Sequence, residues 1–223
     1  MEEQRIEQIL DAAEEAAAAG ASIEPTGFWR VVTELKRDPS LRERYGRRVA
    51  AIDRRAFESW ALLAIPVGLG TVLMVVATLA GLFLIALAYR LEDPWDWVVF
   101  LLGTGLLLVT THGLGHLLVG KSSGMRFTHW FIGSIWQPQP GVKVDYESYL
   151  AASPRRRAWM HASGALVTKA VPFALVGAAI AADLPAWVPW GLVALGVATI
   201  ITDVAWSTKA SDWKKYHREM SFS

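Results

Sequence analysis

The chain has 223 residues, of which 53% are hydrophobic, and its mean hydropathy of +0.29 is high for a soluble domain. The formal net charge is only +1, so the composition gives no indication of a nucleic-acid partner. The sequence has no cysteine, which excludes disulfides and thiolate metal sites. Any bound metal must therefore be held by histidine, carboxylate or water.

The first 58 residues are predicted to form a helical segment on the cytoplasmic side of a membrane. Apolar residues at helical spacing, separated by glycine and proline, indicate three helices at about 2–19, 27–36 and 41–57. The N-terminus is charged and lacks the apolar core of a signal peptide. We expect this segment to act as an adaptor or to lie on the membrane surface.

Four apolar runs follow, and each is long enough to cross a bilayer, which takes about 20 residues. They cover residues 60–90, 97–119, 158–182 and 185–206. The first run is longer than a span requires, which indicates a tilt, a kink near Pro66 or a protruding end. The predicted fold is an all-α integral membrane protein with a four-helix membrane domain at 59–206, a metal-site core within 95–206, and a tail at 207–223.

The distribution of lysine and arginine predicts the orientation of these spans. Ten lie in residues 1–58, six in the 120–157 loop and four after Trp206, whereas the connections at 91–96 and 181–185 have none. All three basic segments fall on one side if both termini are cytoplasmic. We therefore expect a multi-pass protein of the cytoplasmic membrane. Its tail motif SDWKKYHREM is expected to form a short cytoplasmic helix capped by Ser211.

The loop between the second and third spans contains a predicted β-hairpin. Apolar residues alternate through FTHWFIGSIWQPQPGVKVDY on both sides of a Pro-Gly turn. In a protease, such a hairpin could pair with an extended substrate by strand addition.

Ionisable side chains within membrane spans are costly, so their positions point to function. The second span contains His112 and His116, the third contains His161 and Lys169, and the fourth contains Asp203. With a rise of 1.5 Å per residue, the histidine pair and Asp203 lie within about 10 Å of the cytoplasmic ends of their spans. Metal-compatible side chains are thus expected to meet in one layer.

The histidines are four residues apart, so both imidazoles lie on one helix face, as two ligands of one tetrahedral ion require. Asp203 is the predicted third ligand, water would take the fourth position, and one Zn²⁺ is the expected ion. The alternative is that His112 and His116 are interfacial histidines packed against polar backbone. Lys169 is expected to pair with Asp203, to extend its ammonium to the membrane interface, or to lie in a cavity with a lowered pKa, and a further possibility is that it binds an oxyanion or phosphate group.

The order of these features resembles the core of the site-2 type intramembrane metalloproteases, the M50-like membrane zincins. From His112 to about Ser207, the chain has a histidine pair on a span, a hairpin loop, a small-residue span and an aspartate near the end of the next span. The stretch SPRRRAWMHASGALVTK is similar to the family's S-P-R, apolar residues and A-G-P-L-x-N. The resemblance implies a zinc-dependent hydrolase and assigns His112, His116 and Asp203 to the metal.

Several positions depart from the family's pattern. HGLGH replaces HExxH, so Gly113 stands where the family has the glutamate that activates water. Ala165 and Thr168 replace proline and asparagine, and Val204 follows the aspartate where the family usually has glycine. A general acid–base group typically contributes about 10²–10⁴-fold to the rate, so such a site is a poor protease unless another residue acts as the base. The candidates for that role are Asp145, Glu147, His161 and Lys169.

Gly113 also has a structural interpretation, since small residues let membrane helices pack closely.

Three functions therefore stay open. The protein could be an M50-like intramembrane hydrolase with altered catalytic groups, or a pseudoprotease that binds membrane segments without cutting them. It could also be an assembly factor whose histidines bind a redox metal or nothing. Beyond the lipid bilayer, the expected partner is a membrane-protein substrate or partner helix, and the sequence does not indicate an oligomeric state.

Overall fold

The computed structural model of the protein describes residues 2–133, 135, 139–205 and 211–223. The chain is mostly helical with one small sheet. In chain order the helices and strands are α1 Glu3–Ala18, a 3₁₀ turn at Glu24–Thr26, α2 Phe28–Arg37, α3 Pro39–Trp60, β1 Leu63–Pro66, α4 Val67–Ala88, α5 Trp95–Ser122, β2 Phe127–Ile132, β3 Gly141–Val144, α6 Tyr146–Ala151, α7 Pro154–Ala181, α8 Trp187–Ala205 and α9 Asp212–Met220.

The chain divides into two compact units. Unit 1 combines the residues up to Val67 with Gly120–Arg157 and Glu219–Ser223, and unit 2 combines Gly68–Val119 with Ala158–Arg218. Each unit has its own hydrophobic core.

The three predicted N-terminal helices are confirmed as α1, α2 and α3 of unit 1. Their apolar faces meet in one core, in which Leu10, Phe28 and Val49 are fully buried. Asp38 ends α2 and begins α3, because its Oδ1 accepts hydrogen bonds from the backbone N–H groups of Ser40 at 2.8 Å and Leu41 at 3.4 Å. The sequence signals for these helices were therefore sufficient.

Unit 1 also contains the sheet, whose strand order is β1-β2-β3, with both pairs antiparallel. The predicted hairpin is confirmed as β2 and β3, although residues 134 and 136–138 of its connection lie outside the described part of the chain. The prediction that the first span begins near residue 60 is wrong. Residues Leu63–Pro66 form β1 and pair with β2, because a residue before proline favours the extended conformation over the helical one.

A buried ion cluster in unit 1 comprises Lys36, Tyr149, Arg157 and Glu219. Glu219 is fully buried, and its carboxylate binds Lys36 Nζ and, at 2.7 Å, Arg157 Nε. Arg157 is also fully buried and donates from Nη1 to the carbonyl oxygen of Ala152 at 2.6 Å. Its guanidinium and the Lys36 ammonium lie over the Tyr149 ring. The buried carboxylate of Glu219 is thus paired with two cations of the chain itself.

Within the described residues, three helices are long and apolar enough to span a membrane, namely α4, α5 and α7. The fourth predicted span corresponds to α8, whose described apolar stretch, Trp187–Asp203, is shorter than the other three helices. Trp206, where the fourth run was predicted to end, lies outside the described residues. The structure therefore supports a membrane protein with three candidate spans, and four spans are not confirmed.

Glycines bring α4 and α5 together in unit 2. A Cβ added to Gly103 would lie only 2.7 Å from the carbonyl oxygen of Gly81. Such close approach is typical of packed membrane helices, which lack a hydrophobic driving force between them and gain from backbone contact. Nearby, Thr78 Oγ1 donates to Thr110 Oγ1 at 2.8 Å across the same helix pair.

Candidate metal centre

One group of side chains in the described part of the chain could hold a metal ion, and we call it the metal-compatible group. It comprises His112 and His116 on α5 and Asp212 at the start of α9. The two Nε2 atoms are 3.2 Å apart. Asp212 Oδ2 lies 3.2 Å from Nε2 of His116 and 3.3 Å from Nε2 of His112. Three potential ligand atoms thus form a nearly equilateral triangle.

The triangle has the size that a tetrahedral ion needs. In a regular tetrahedron two ligand atoms are about 1.6 bond lengths apart, which is about 3.3–3.4 Å for metal–ligand bonds of about 2.0–2.1 Å. The observed 3.2–3.3 Å sides match that spacing within a tenth or two of an ångström. The fourth corner belongs to none of the three side chains, so a water or a substrate atom could take it.

The helical spacing of the histidines brings their rings together but not parallel. His112 and His116 are one turn apart on α5, and their ring centroids are 4.8 Å apart with an interplanar angle of 89°. Their side chains are 21% and 12% exposed, and that of Asp212 is 15% exposed. The site is therefore mostly shielded while retaining some access.

Contacts from α7 hold each imidazole at Nδ1, the ring nitrogen that does not face the triangle. His116 Nδ1 donates to the backbone carbonyl oxygen of Met160 at 2.7 Å. His112 Nδ1 lies 2.8 Å from Thr168 Oγ1. Both rings therefore direct Nε2 toward the triangle, as metal-binding histidines require.

Small residues allow α5 and α7 to approach this closely. A Cβ added to Gly164 would overlap the imidazole of His116, and one added to Gly115 would lie 3.3 Å from the carbonyl oxygen of Ser163. Gly164 therefore provides the space that the His116 ring occupies.

Asp212 opens α9, where Ser211 Oγ accepts a hydrogen bond from the backbone N–H of Lys214 at 3.3 Å. Burial raises the pKa of Asp212, but hydrogen bonds with His112 and His116, together with the charges of His116 and Lys215, hold it well below its usual range. Asp212 is therefore an anion at neutral pH, the form that binds metal. Lys215 Nζ contacts its other oxygen, Oδ1, at 3.1 Å.

Asp203, the predicted third ligand, is not part of the metal-compatible group. Its carboxylate binds Lys169 Nζ, the pairing that the sequence offered as one role for this lysine. Lys169 also donates to the carbonyl oxygen of Ala165 at 3.4 Å. The correction has a simple cause, since an ammonium ion in the same layer competes for the carboxylate, and equal depth does not determine which way a side chain points.

The other candidate residues lie at different places. Asp145 and Glu147 accept hydrogen bonds from Arg126 Nη2, at 2.7 Å and 3.2 Å. His161 is half-buried on α7 and, like the others, is not a member of the metal-compatible group. Gly113 is buried within α5. Among the described residues, none of the four candidate bases therefore belongs to the metal-compatible group.

Sequence reasoning missed Asp212 because the residue already had a local explanation. An aspartate just after serine at the start of a short polar helix is typical of an N-terminal turn, where acidic groups interact favourably with the helix dipole. The one signal for Asp212 in the sequence was its position as an acidic residue in the tail, which follows the spans that contain the histidines.

No protein-family model matches this chain, and no curated protein or solved structure shows significant similarity to it. What the site can do therefore follows from its own atoms. Two imidazole nitrogens and one carboxylate oxygen form a ligand set that suits zinc and related divalent transition metals.

Proposed function

We propose that the protein is an integral membrane protein that binds one Zn²⁺ ion through His112, His116 and Asp212. The observation that carries this proposal is the triangle of ligand atoms with sides of 3.2, 3.2 and 3.3 Å. An octahedral ion with bonds of about 2.1 Å, such as Mg²⁺, would need shorter ligand separations of about 3.0 Å and prefers oxygen ligands. The ligand set and its spacing both favour tetrahedral zinc.

The membrane arrangement proposed here has four spans, with α8 as the fourth and both termini in the cytoplasm. The asymmetry of lysine and arginine supports this topology. Because the sequence has no cysteine, single cysteines at Ser22 and Ser221 can be labelled without background. Labelling of both from the same, cytoplasmic side is expected, and labelling from opposite sides would exclude four spans.

The first test of the zinc proposal is metal analysis after mild purification in detergent. We expect about one zinc per chain in the wild type and a loss of zinc in Asp212→Asn and His116→Ala. Asp203→Asn is the matched control, since Asp203 binds Lys169, and this variant should keep its zinc. Loss of zinc in Asp203→Asn with retention in Asp212→Asn would return the third ligand to Asp203.

For the chemistry of the site, we propose an M50-like scaffold that lacks a positioned general base. The open fourth corner of the ligand set is the arrangement of a catalytic zinc site, where bound zinc lowers the pKa of water to about 7. Glycine at position 113 can neither accept the proton of that water nor pass it to a leaving amine. The contacts of Lys169, Asp145 and Glu147 leave each of these groups bound to an opposite charge.

The function that best fits these observations is a zinc-binding pseudoprotease that recognises membrane segments without cutting them. The alternative is an active hydrolase with a different base. Purified protein and a single-span substrate in vesicles distinguish them. Cleavage that is abolished by His116→Ala would establish the hydrolase, whereas capture of the segment without cleavage supports the pseudoprotease.

A further inference from the structure

We infer that Thr168 is a positioning residue that determines which nitrogen of His112 faces the metal. This inference rests on the proposed zinc site of His112, His116 and Asp212. Thr168 contacts the imidazole of His112 from α7, on the side away from the ligand triangle. Its hydroxyl fixes the imidazole with a hydrogen on Nδ1 and leaves the Nε2 lone pair for the ion.

The argument begins with the single proton of the threonine hydroxyl. Thr168 Oγ1 donates that proton to the backbone carbonyl oxygen of Gly164, one turn earlier on α7, at 3.0 Å. Only lone pairs of Oγ1 then remain for His112 Nδ1, which lies 2.8 Å away. Nδ1 must therefore be the donor, so a neutral His112 has its hydrogen on Nδ1 and a bare Nε2.

His116 provides an independent comparison, because its partner leaves no choice. Its Nδ1 lies 2.7 Å from the carbonyl oxygen of Met160, which has no proton to give. His116 must therefore donate from Nδ1. Ser163 Oγ donates to the same carbonyl oxygen at 2.7 Å, which fixes that acceptor further. Thr168 Oγ1 thus accepts the Nδ1 hydrogen of His112, as the Met160 carbonyl oxygen accepts that of His116.

The two helices are in register for this arrangement. Met160, Gly164 and Thr168 are spaced by four residues and so form one stripe along α7, opposite the histidines, also four apart, on α5. His116 meets the Met160 end of the stripe and His112 meets Thr168. The middle residue, Gly164, has no side chain that would push the helices apart.

The consequence is a centre that only a cation can fill. With both Nδ1 atoms donating, two Nε2 lone pairs and a carboxylate oxygen converge within 3.3 Å of one another. Three acceptors at this distance repel each other unless a metal ion or a proton lies between them. Removing the Thr168 hydroxyl would let His112 carry its hydrogen on Nε2, where it blocks the metal.

The test compares wild type with Thr168→Val and Thr168→Ser in detergent. Valine keeps the shape of threonine and removes the acceptor, and serine keeps the hydroxyl. Zinc affinity is measured by competition with a chromophoric chelator. We expect binding about 10–100-fold weaker in Thr168→Val, the usual cost of losing an outer hydrogen bond to a metal-binding histidine, and recovery in Thr168→Ser.

A second readout uses the metal-free protein. Long-range proton–nitrogen spectra of ¹⁵N-labelled histidine report which ring nitrogen carries the hydrogen. We expect a hydrogen on Nδ1 of both His112 and His116 in the wild type, whether or not Nε2 shares a proton with Asp212, and a loss of the Nδ1 hydrogen from part of the His112 population alone in Thr168→Val. A His112 ring without a hydrogen on Nδ1 in the wild type would overturn the inference, as would unchanged zinc affinity in Thr168→Val.

The two readouts keep this inference apart from the zinc proposal. If the wild type binds no zinc, the proposed function fails while the nitrogen spectra still decide the role of Thr168. If zinc binds and Thr168→Val behaves as wild type, the role of Thr168 fails while the zinc site stands.

Discussion

The buried ion cluster of unit 1 and the metal-compatible group of unit 2 both place a carboxylate among nitrogen atoms, but only one of them is complete. Glu219 meets two permanent cations, Lys36 and Arg157, so its charge is balanced by the chain itself. Asp212 meets two imidazoles, neither of which is a permanent cation. His116 donates its Nδ1 hydrogen to a backbone carbonyl oxygen, and His112 Nδ1 contacts a threonine hydroxyl. Removing a cation from the first cluster costs stability, whereas a group that lacks a cation is suited to binding one.

The largest effect should come from breaking the complete cluster. Arg157→Met leaves Glu219 with Lys36 alone and removes the hydrogen bonds of Arg157 to Glu219 and to the carbonyl oxygen of Ala152, and a hydrogen bond to a charged group typically contributes about 1.5–3 kcal/mol. We expect a large loss of stability in denaturant titrations of the full chain in detergent, with no recovery on adding zinc.

The neighbouring Arg156 provides the matched control for this prediction. Its side chain is exposed, so Arg156→Met should change stability by no more than about 0.5 kcal/mol. Equal effects of the two variants would show that the cluster is not a source of stability.

The metal-compatible group should affect thermal stability mainly through the binding of zinc. A ligand at about 100 times its dissociation constant stabilises the folded state by about 2.7 kcal/mol. We therefore expect zinc to raise the thermal midpoint of the wild type and to leave that of Asp212→Asn unchanged. A zinc-dependent shift that survives in Asp212→Asn would mean that the ion binds elsewhere.

A smaller effect is expected from filling the space beside His116. Gly164→Ala places a methyl group where the imidazole lies, and such overpacking typically costs about 1–3 kcal/mol. Zinc affinity should fall as well, because His116 must move.

Gly105→Ala is the control for this substitution on the neighbouring helix. A Cβ there would have no atom of the described part of the chain within 4 Å. Since alanine is favoured over glycine in a helix by about 1 kcal/mol, this variant should be as stable as wild type or more so. If both alanine variants bind zinc normally, the fit between His116 and Gly164 is not important.

The smallest expected effect is a change in stability with pH. Burial raises the pKa of Glu219, but Lys36 and Arg157 together lower it below the ordinary value of 4.5. A carboxylate whose pKa is lower in the folded state contributes stability above its unfolded pKa and loses it as the pH falls through the folded value. The stability difference between wild type and Glu219→Gln should therefore be constant from pH 7 to about pH 5 and narrow below pH 4.5.

Denaturant midpoints measured along this pH series provide the check. A difference that stays constant down to pH 3 would show that the pKa of Glu219 is the same in the folded and the unfolded protein. Zinc should be omitted, so that the metal-compatible group does not add its own pH dependence.

The sequence predicted those parts of the fold whose signals are local. Helical spacing, with glycine and proline between the helices, was enough for the N-terminal helices, and the Pro-Gly turn was enough for the hairpin. The strand Leu63–Pro66 was missed because a short apolar run looks the same in a strand and in a membrane helix.

The candidate site was half predicted for a related reason. The spacing of His112 and His116 along one helix determines that their rings meet, so this pair followed from the sequence. The third member of the metal-compatible group comes from a different helix, and Asp203, which binds Lys169, is not in that group. Such competition between distant groups has no signature in a single sequence.

The fit of His116 against Gly164 also has a consequence for the entropy of binding. The ring fills the space of an absent side chain, and its Nδ1 is held by the carbonyl oxygen of Met160. Rotation of such a ring is restricted before any ion arrives, so little side-chain freedom is left to lose on coordination. Preorganisation of this kind strengthens binding without adding a single contact, and in the proposed zinc site it would make His116 the ligand around which the others adjust.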